Sequence, residues 1–207
     1  MSKPVDKSQE KEEFEKLWRD CDKSRQAKSH NDKSELSDST KLVIVGTLTP
    51  PNTKYFYCSH SNRIYGYLDE ALKNEDKTLK GLKEGLSSYE GHPVLSGNEI
   101  DRKIEKIKEI LVSNHIAFLD VMDRAIRKEG KADSPYDKDI QCYTLANDKF
   151  SVLKNREGIT IIPNSRLAEK GLLNMGFVKG SYQYLSQRRD TKKDWVDMIR
   201  AALGIQE

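Results

Sequence analysis

The sequence lacks the residue patterns that hold metal ions and nucleotide cofactors. Its three cysteines, Cys21, Cys58 and Cys142, are far apart and form no CxxC pair, which argues against zinc and iron–sulfur sites. Neither GxGxxG nor GxxxxGK followed by Ser or Thr occurs, so the usual loops for dinucleotides and nucleoside triphosphates are absent. We therefore expect a protein that uses no metal and no cofactor.

Long hydrophobic runs and a leader-like N-terminus are also missing. No stretch is long and apolar enough to span a membrane, and no signal peptide is found. Few and unpaired cysteines suit a reduced cytoplasm. We expect a cytoplasmic protein without a membrane partner.

Neither sign of charge dominates. The formal net charge is +3, although 33% of the residues are charged and 36% are hydrophobic. This balance neither requires nor excludes a nucleic-acid partner, because local basic patches matter more than the total. A length of 207 residues suits one α/β domain with some residues to spare.

Part of the excess of charged residues lies in residues 1–40. Four apolar residues there follow helical spacing and predict one amphipathic helix, which packs on the domain or on a partner. They are Phe14, Leu17, Trp18 and Cys21. Residues 24–39 are hydrophilic and predict a linker. The chain thus divides into a charged N-terminal extension, residues 1–40, and an α/β domain, residues 41–207.

The rest of the chain alternates strand patterns with helix patterns. The predicted strands are KLVIVG, HIAFLDVM, GITII and YQYLS, whereas residues 123–144 are polar and carry no predicted strand. Strands that alternate with helices imply a parallel sheet covered on both sides. The predicted fold is an α/β fold, a three-layer α/β/α sandwich with a mainly parallel four-stranded central sheet.

The loops after the strands are the first place to look for a site, because ligands of open parallel sheets lie beyond the carboxyl ends of the strands. This rule selects the loops after Gly46, Leu119 and Leu185. The first of them is unusual, since Pro50 and Pro51 stiffen a polar loop that contains three consecutive aromatic residues, YFY.

Four segments in the predicted domain follow a recognisable order. They are VGTLTPP with YFYCSHSNRIYGYL, IAFLDVMDRAIRKEGKADSPYDKDI, ITIIPNSRLAEKGL, and YLSQRRDTKKDW. In this order they resemble the motifs of the uracil-DNA glycosylase superfamily, above all its mismatch-specific and hypoxanthine-removing branches. The resemblance covers residues 41–203 and leaves the N-terminal extension outside it.

The sequence departs from the superfamily pattern at two points. Most branches place Asp or Asn two positions after the glycine of the first motif, where this chain has Leu48. The fourth motif lacks its usual proline and begins Tyr184-Leu185-Ser186. The group that usually activates water is therefore replaced by another residue, or there is none.

The resemblance implies that a nucleotide leaves the duplex and that its base stacks on an aromatic ring. Tyr57 matches the stacking aromatic of the family, unless the aromatic residues simply plug the end of the sheet. Asp120, at a strand end, is the best-placed carboxylate to steady the sugar cation or orient water, unless it caps a loop. Asn62, in the matching Asn-Arg pair, binds the base or water, unless it caps its helix.

Other residues are assigned to the base and to the DNA backbone. The predicted base-binding residues are Gly46, Thr47, Leu48, Thr49, Tyr57, His60 and Asn164. The predicted DNA-binding residues are Ser186, Gln187, Arg188, Arg189 and Lys192, at a strand end and helix start that suit phosphate. Gln187 or Arg188 is the expected wedge. The alternative is that His60 and the basic residues form an ordinary solvated surface.

The predicted function is a monofunctional DNA glycosylase, a monomer that acts on double-stranded DNA containing a damaged or modified base. The base is hypoxanthine or uracil, or a bulky modified cytosine of phage DNA, in which case the enzyme serves defence. The main alternative is a catalytically inactive nucleic-acid-binding protein of the same fold. A hydrolase of free nucleosides is a third possibility.

Overall fold

The structure is a computed structural model that describes residues 7–50, 53–59, 61–73, 78–87, 95, 97–132, 134, 136–186 and 189–206, with the backbone alone at residues 7–9. The described residues form the helices α1 (Lys7–Asp20), α2 (Ile64–Ala71), α3 (Thr78–Lys83), α4 (Gly97–Ser113), α5 (Asn147–Ser151), α6 (Arg166–Asn174) and α7 (Lys192–Leu203). None of these helices is both long and apolar enough to cross a lipid bilayer. The strands are β1 (Gln26–Lys28), β2 (Leu42–Gly46), β3 (Ile116–Asp120), β4 (Met122–Arg127), β5 (Ile140–Leu145) and β6 (Thr160–Pro163).

β2 is the central strand of a parallel sheet with the order β3-β2-β6. Its residues, LVIVG, are all buried, as predicted for an apolar run rich in β-branched side chains. The register pairs Gly46 with Asp120 and Val45 with Pro163, so the three strands end together. We call this end of the sheet, defined by Gly46, Asp120 and Pro163, the carboxyl edge.

Alternate residues of the parallel sheet face two separate cores. Leu42 and Ile44 belong to a core with helices α2, α4 and α7, in which Trp195 is fully buried. Val43 and Val45 belong to a second core with α5 and α6. This alternation is what a strand buried on both faces requires, because successive side chains point to opposite sides.

The predicted fourth strand is wrong, since the described residues give this sheet three strands. Residues 182–186 nevertheless run beside β6, where the N–H of Gln183 donates to the Ile161 carbonyl at 2.9 Å and that of Leu185 to the Pro163 carbonyl at 3.3 Å. A parallel ladder would return a bond from the N–H of residue 163 to the Gln183 carbonyl, and a proline has no N–H. Pro163 therefore stops the ladder before a strand is completed.

A second sheet, antiparallel and with the order β1-β4-β5, lies partly in the region where no strand was predicted. Its strands MDRAIR and IQCYTL mix charged and apolar residues, and most side chains of β5 are only half-buried. The alternation that signals a strand is therefore weak. The predicted sandwich is corrected accordingly: one face of the parallel sheet carries helices, and the core on the other face includes residues of this second sheet as well as α5 and α6.

The N-terminal segment is attached to this second sheet. The ring of Phe14 is buried and stacks on Trp18, and the Arg124 guanidinium lies 5.2 Å from the centroid of each ring. Arg124 also pairs with Glu15. The predicted apolar stripe of α1 is only partly buried, since Leu17 is exposed. β1 lies in the segment predicted to be a linker, and it pairs with β4.

Gly171 and Gly66 offer a matched test of how the layers pack. A Cβ at Gly171, in α6, would lie 2.7 Å from the Cβ of Val121, whereas a Cβ at Gly66, in α2, would meet nothing within 4 Å. We expect Gly171→Ala to lower the free energy of unfolding by about 1–3 kcal/mol through overpacking. Gly66→Ala should raise it by about 0.5–1 kcal/mol through helix propensity. Urea unfolding followed by tryptophan fluorescence measures both, and equal stabilities would contradict this packing.

Candidate active site

Asp120 lies at the carboxyl edge with 2% of its surface exposed. Its Oδ2 accepts hydrogen bonds from the N–H and the hydroxyl of Thr49, at 2.8 and 2.7 Å. Burial raises the pKa of Asp120 from its ordinary value of 3.8 to about 6; bonds from Thr49 and the His30 amide oppose this, and the charge of Asp137 adds to it. A carboxyl group with such a pKa can take or give a proton near neutral pH.

The backbone of Asp120 is held by a side chain from the N-terminal segment. The Asn31 Oδ1 accepts a hydrogen bond from the N–H of Asp120, and the Asn31 Nδ2 donates one to its carbonyl, both at 2.8 Å. β3 is an edge strand, so these bonds replace those that a neighbouring strand would make. Asn31 is itself buried, so both of its bonds to Asp120 lie away from solvent. The sequence carries no signal of this contact, because one asparagine in a hydrophilic run is ordinary.

The ring of Tyr57 covers Gly46 beside Asp120. A Cβ at Gly46 would stand 2.8 Å from the Oδ1 of Asp120 and 3.0 Å from the Tyr57 hydroxyl, so only glycine fits without a shift. The Tyr57 hydroxyl donates to the Ile44 carbonyl at 3.1 Å, and the ring packs edge-on against Phe118. Because Tyr57 is 7% exposed, it presents no open face to a base in this conformation.

Base stacking by Tyr57 stays a prediction that requires the ring to leave this packing. The aromatic-plug interpretation describes the observed arrangement, since Tyr55 and Phe56 are also fully buried. Tyr57 has a φ of 53°, in the left-handed region that a tyrosine rarely adopts. Backbone of this kind costs about 1–3 kcal/mol and is often found at functional sites.

A second carboxylate reaches the carboxyl edge from the connection between β4 and β5. Asp137 accepts a hydrogen bond from the Thr47 hydroxyl at 3.0 Å, and the hydroxyl oxygens of Thr47 and Ser165 lie 2.8 Å apart. The Ser165 Oγ accepts from the N–H of Ala168 as the N-cap of α6. Because Thr47 gives its one hydroxyl proton to Asp137, the Ser165 hydroxyl is the donor to Thr47. Sequence reasoning missed Asp137 because the hairpin that carries it was not predicted.

Three other predicted residues serve the framework or make few contacts. Leu48 is buried in the core that contains Val45, so this position supplies no polar group to the site. Asn62 accepts a hydrogen bond from the N–H of Ile64, the first residue of α2, at 3.0 Å, although the N-cap position itself is that of Arg63. The N–H of Asn164 donates to the Val45 carbonyl at 2.9 Å, and its side chain makes no hydrogen bond to the described residues.

The predicted DNA-binding cations meet partners around the start of α7. Lys192 pairs with Glu70. The Arg189 guanidinium donates to the Tyr184 hydroxyl at 3.1 Å and lies 5.7 Å from the centroid of the ring. Lys192 would have to leave Glu70, and Arg189 would have to leave Tyr184, before either could contact a phosphate. The Lys192–Glu70 pair is exposed, so breaking it costs little.

The N-terminus of α7 is also occupied by the protein's own carboxylates. The N–H of Ser186 donates to Asp190. Thr191 and Asp194 form a reciprocal capping box, in which the Asp194 carboxylate accepts the N–H and the hydroxyl of Thr191. Negative charge at this end of the helix disfavours a phosphate there.

Three predicted site residues, His60, Gln187 and Arg188, lie outside the described residues. The histidine contact and the wedge therefore stay predictions. Within the described part of the chain, His, Cys, Asp and Glu side chains form no group of three that could hold a metal ion.

No family model and no curated protein matches this chain. A solved structure that resembles it is the solution NMR structure of a protein from Methanosarcina acetivorans, which is named provisionally as a uracil DNA glycosylase. The two share 20% sequence identity with a TM-score of 0.47, over 82% of this chain and 94% of the other. A likeness at this level supports no conclusion about function.

The buried Asp120 predicts a pH-dependent difference between the protein and Asp120→Asn. Because its pKa is raised to about 6, the folded state holds the proton more tightly than the unfolded state. As the pH rises from about 4 to about 7, ionisation of Asp120 therefore lowers the free energy of unfolding of the parent, by about 3 kcal/mol once it is complete. Asparagine stays neutral, so the variant should gain about this much relative to the parent between about pH 4 and about pH 7.

Urea unfolding of both proteins at a series of pH values measures this difference. Carboxylates whose pKa values are lowered, such as Glu15 and Asp194, affect both proteins equally and cancel. If the free energies of unfolding of the two proteins change with pH in the same way, the pKa of Asp120 is not raised.

Proposed function

We propose that the chain is a monofunctional DNA glycosylase, acting as a cytoplasmic monomer on double-stranded DNA that contains a damaged or modified base. The bases in question are hypoxanthine and uracil, or a bulky modified cytosine of phage DNA in a defence role. The reaction consumes only water and uses no cofactor. The ordered resemblance of residues 41–203 to the uracil-DNA glycosylase superfamily supports the proposal.

The observation that carries this proposal is the Asp120 carboxyl group at the carboxyl edge, with a pKa raised to about 6 by burial. Breaking an N-glycosidic bond develops positive charge on the sugar and negative charge on the departing base. Ionised Asp120 would steady the sugar cation or take a proton from the attacking water. Bonds from Thr49 and Asn31 hold it for this task. Asn62 is proposed to contact the base or water, and Asn164 the base.

Access to Asp120 requires a rearrangement. Its side chain is almost fully buried, and Thr49 and Tyr57 stand beside it. In our proposal the aromatic loop that begins at Thr49 shifts when DNA binds, and Tyr57 turns its ring toward the extruded base. Loop movements of this kind complete the catalytic geometry in many enzymes.

Two features favour a second candidate, a nucleic-acid-binding protein without hydrolytic activity. Leu48 stands where the superfamily has its polar residue and is buried in the core. Tyr57 packs inward and presents no stacking face. An inactive relative would show both of these features.

A panel of duplexes tests the proposed function. Each contains one uracil, hypoxanthine or modified cytosine, and alkali-labile abasic sites are counted after incubation. We expect strand breaks with at least one modified duplex and none with the unmodified duplex. Asp120→Asn should lower the excision rate by about 10²- to 10⁴-fold with little change in duplex affinity, because the carboxylate acts on the reaction rather than on binding.

Asp148→Asn is the matched control, since Asp148 is an exposed carboxylate on α5. It should excise like the parent. Excision by Asp120→Asn at the rate of the parent would show that Asp120 has no role in the reaction. Binding without excision across the panel would favour the inactive candidate, and excision from free nucleosides but not from duplexes would make the chain a nucleoside hydrolase.

A further inference from the structure

The connection between β4 and β5 exposes an aromatic ring near the carboxyl edge. Tyr136 is 54% exposed and is the one aromatic among the large exposed hydrophobic side chains of the described residues. Its neighbour Asp137 accepts the hydrogen bond from Thr47. The ring therefore belongs to the segment that contacts the candidate active site, and the proposed reaction leaves it without a role.

The backbone of Tyr136 is held even though its ring is exposed. Its carbonyl accepts hydrogen bonds from the N–H of Asp139 at 3.1 Å and from the Nη1 of Arg127 at 3.4 Å. Its own N–H donates to the Ser134 hydroxyl at 3.2 Å. Arg127 is buried, so the anchor belongs to the sheet. A ring on a held backbone loses little conformational freedom when it contacts a ligand.

Three exposed lysines lie on the same connection, and we call the four residues the hairpin patch. They are Lys128, Lys131, Tyr136 and Lys138. All three ammonium groups act on Asp139, whose pKa is lowered by a hydrogen bond from Ser134 and further by these charges. The Lys138 Nζ lies 5.3 Å from the centroid of the Tyr136 ring.

The lysines of the hairpin patch form fewer direct ion pairs than the lysines at the start of α7. Its lysines form no ion pair with the described residues. Lys192 and Lys193, by contrast, pair with Glu70 and Asp197. These lysines act on Asp139 from a distance and form no direct ion pair with the described residues, so they can turn to another anion. Such cations beside an exposed aromatic ring suit a nucleic-acid strand, because the ring stacks on a base and the cations contact phosphates.

We infer that the hairpin patch binds a DNA strand beside the active site, with Tyr136 stacked on an unpaired base and the lysines on the flanking phosphates. The choice of DNA as partner rests on the proposed function. The patch adds a contact surface that the predicted DNA-binding residues do not include.

Binding of undamaged DNA tests this inference without any need for excision. Fluorescence anisotropy would be recorded with a short labelled single strand and with a labelled duplex that carries one unpaired base. Tyr136→Ala should weaken binding to both by about tenfold through lost stacking. Tyr136→Phe keeps the ring and should bind like the parent.

The lysines are tested by the salt dependence of the same binding. The double variant Lys131→Ala/Lys138→Ala should reduce the slope of log K against log salt for the single strand by about 1.4, since each lost phosphate contact contributes about 0.7. The control is Lys154→Ala/Lys179→Ala, which removes two exposed lysines near the carboxyl end of α6. The control should keep both the affinity and the slope of the parent.

Unchanged binding by Tyr136→Ala, an unchanged slope in the Lys131/Lys138 variant, or tighter binding to an RNA strand of the same sequence would each overturn the inference. Binding that depends on the patch in a protein that excises nothing would retain the inference and remove the proposed function. If Tyr136→Ala binds both probes as tightly as the parent and still excises the base, the proposed function stands and the inference is wrong.

Discussion

The burial of the Asp120 carboxyl group is the constraint on which the carboxyl edge is built. A carboxyl group taken out of water is costly unless its oxygens and its backbone are hydrogen-bonded. Thr49 supplies bonds to Oδ2, Asn31 satisfies the backbone, and Gly46 leaves room for Oδ1. These groups come from the N-terminal segment, from β2 and from the loop after it, so all three must be folded before Asp120 is in place.

The sequence located the parallel sheet because strands buried on both faces need apolar residues at nearly every position. It also located Asp120, since a strand end follows from where the apolar run stops. The antiparallel sheet was missed because β4 includes Arg124, whose guanidinium packs on the rings of α1 and so lets a charged residue sit in a sheet. The inward packing of Tyr57 and the contact of Asn31 depend on tertiary structure, and no local pattern encodes either one.

Charge is distributed unevenly around the carboxyl edge. The start of α7 has cations that are matched by carboxylates and a helix end that is already capped. The connection between β4 and β5 has exposed lysines that act on Asp139 but form no direct ion pair with the described residues. Composition alone could not distinguish the two, because both segments read as mixed runs of Lys, Arg and Asp. The difference arises from which carboxylates the fold brings within reach.

The Asn31 contact has a consequence for self-association. The outer side of β3 would otherwise offer unpaired backbone groups at Asp120, and an open strand of this kind is a template for pairing with another molecule. The side-chain amide of Asn31 occupies those groups. An incoming strand could pair with them only by breaking two buried hydrogen bonds. The N-terminal segment thus protects the domain from intermolecular sheet growth at the strand end that carries the candidate active site.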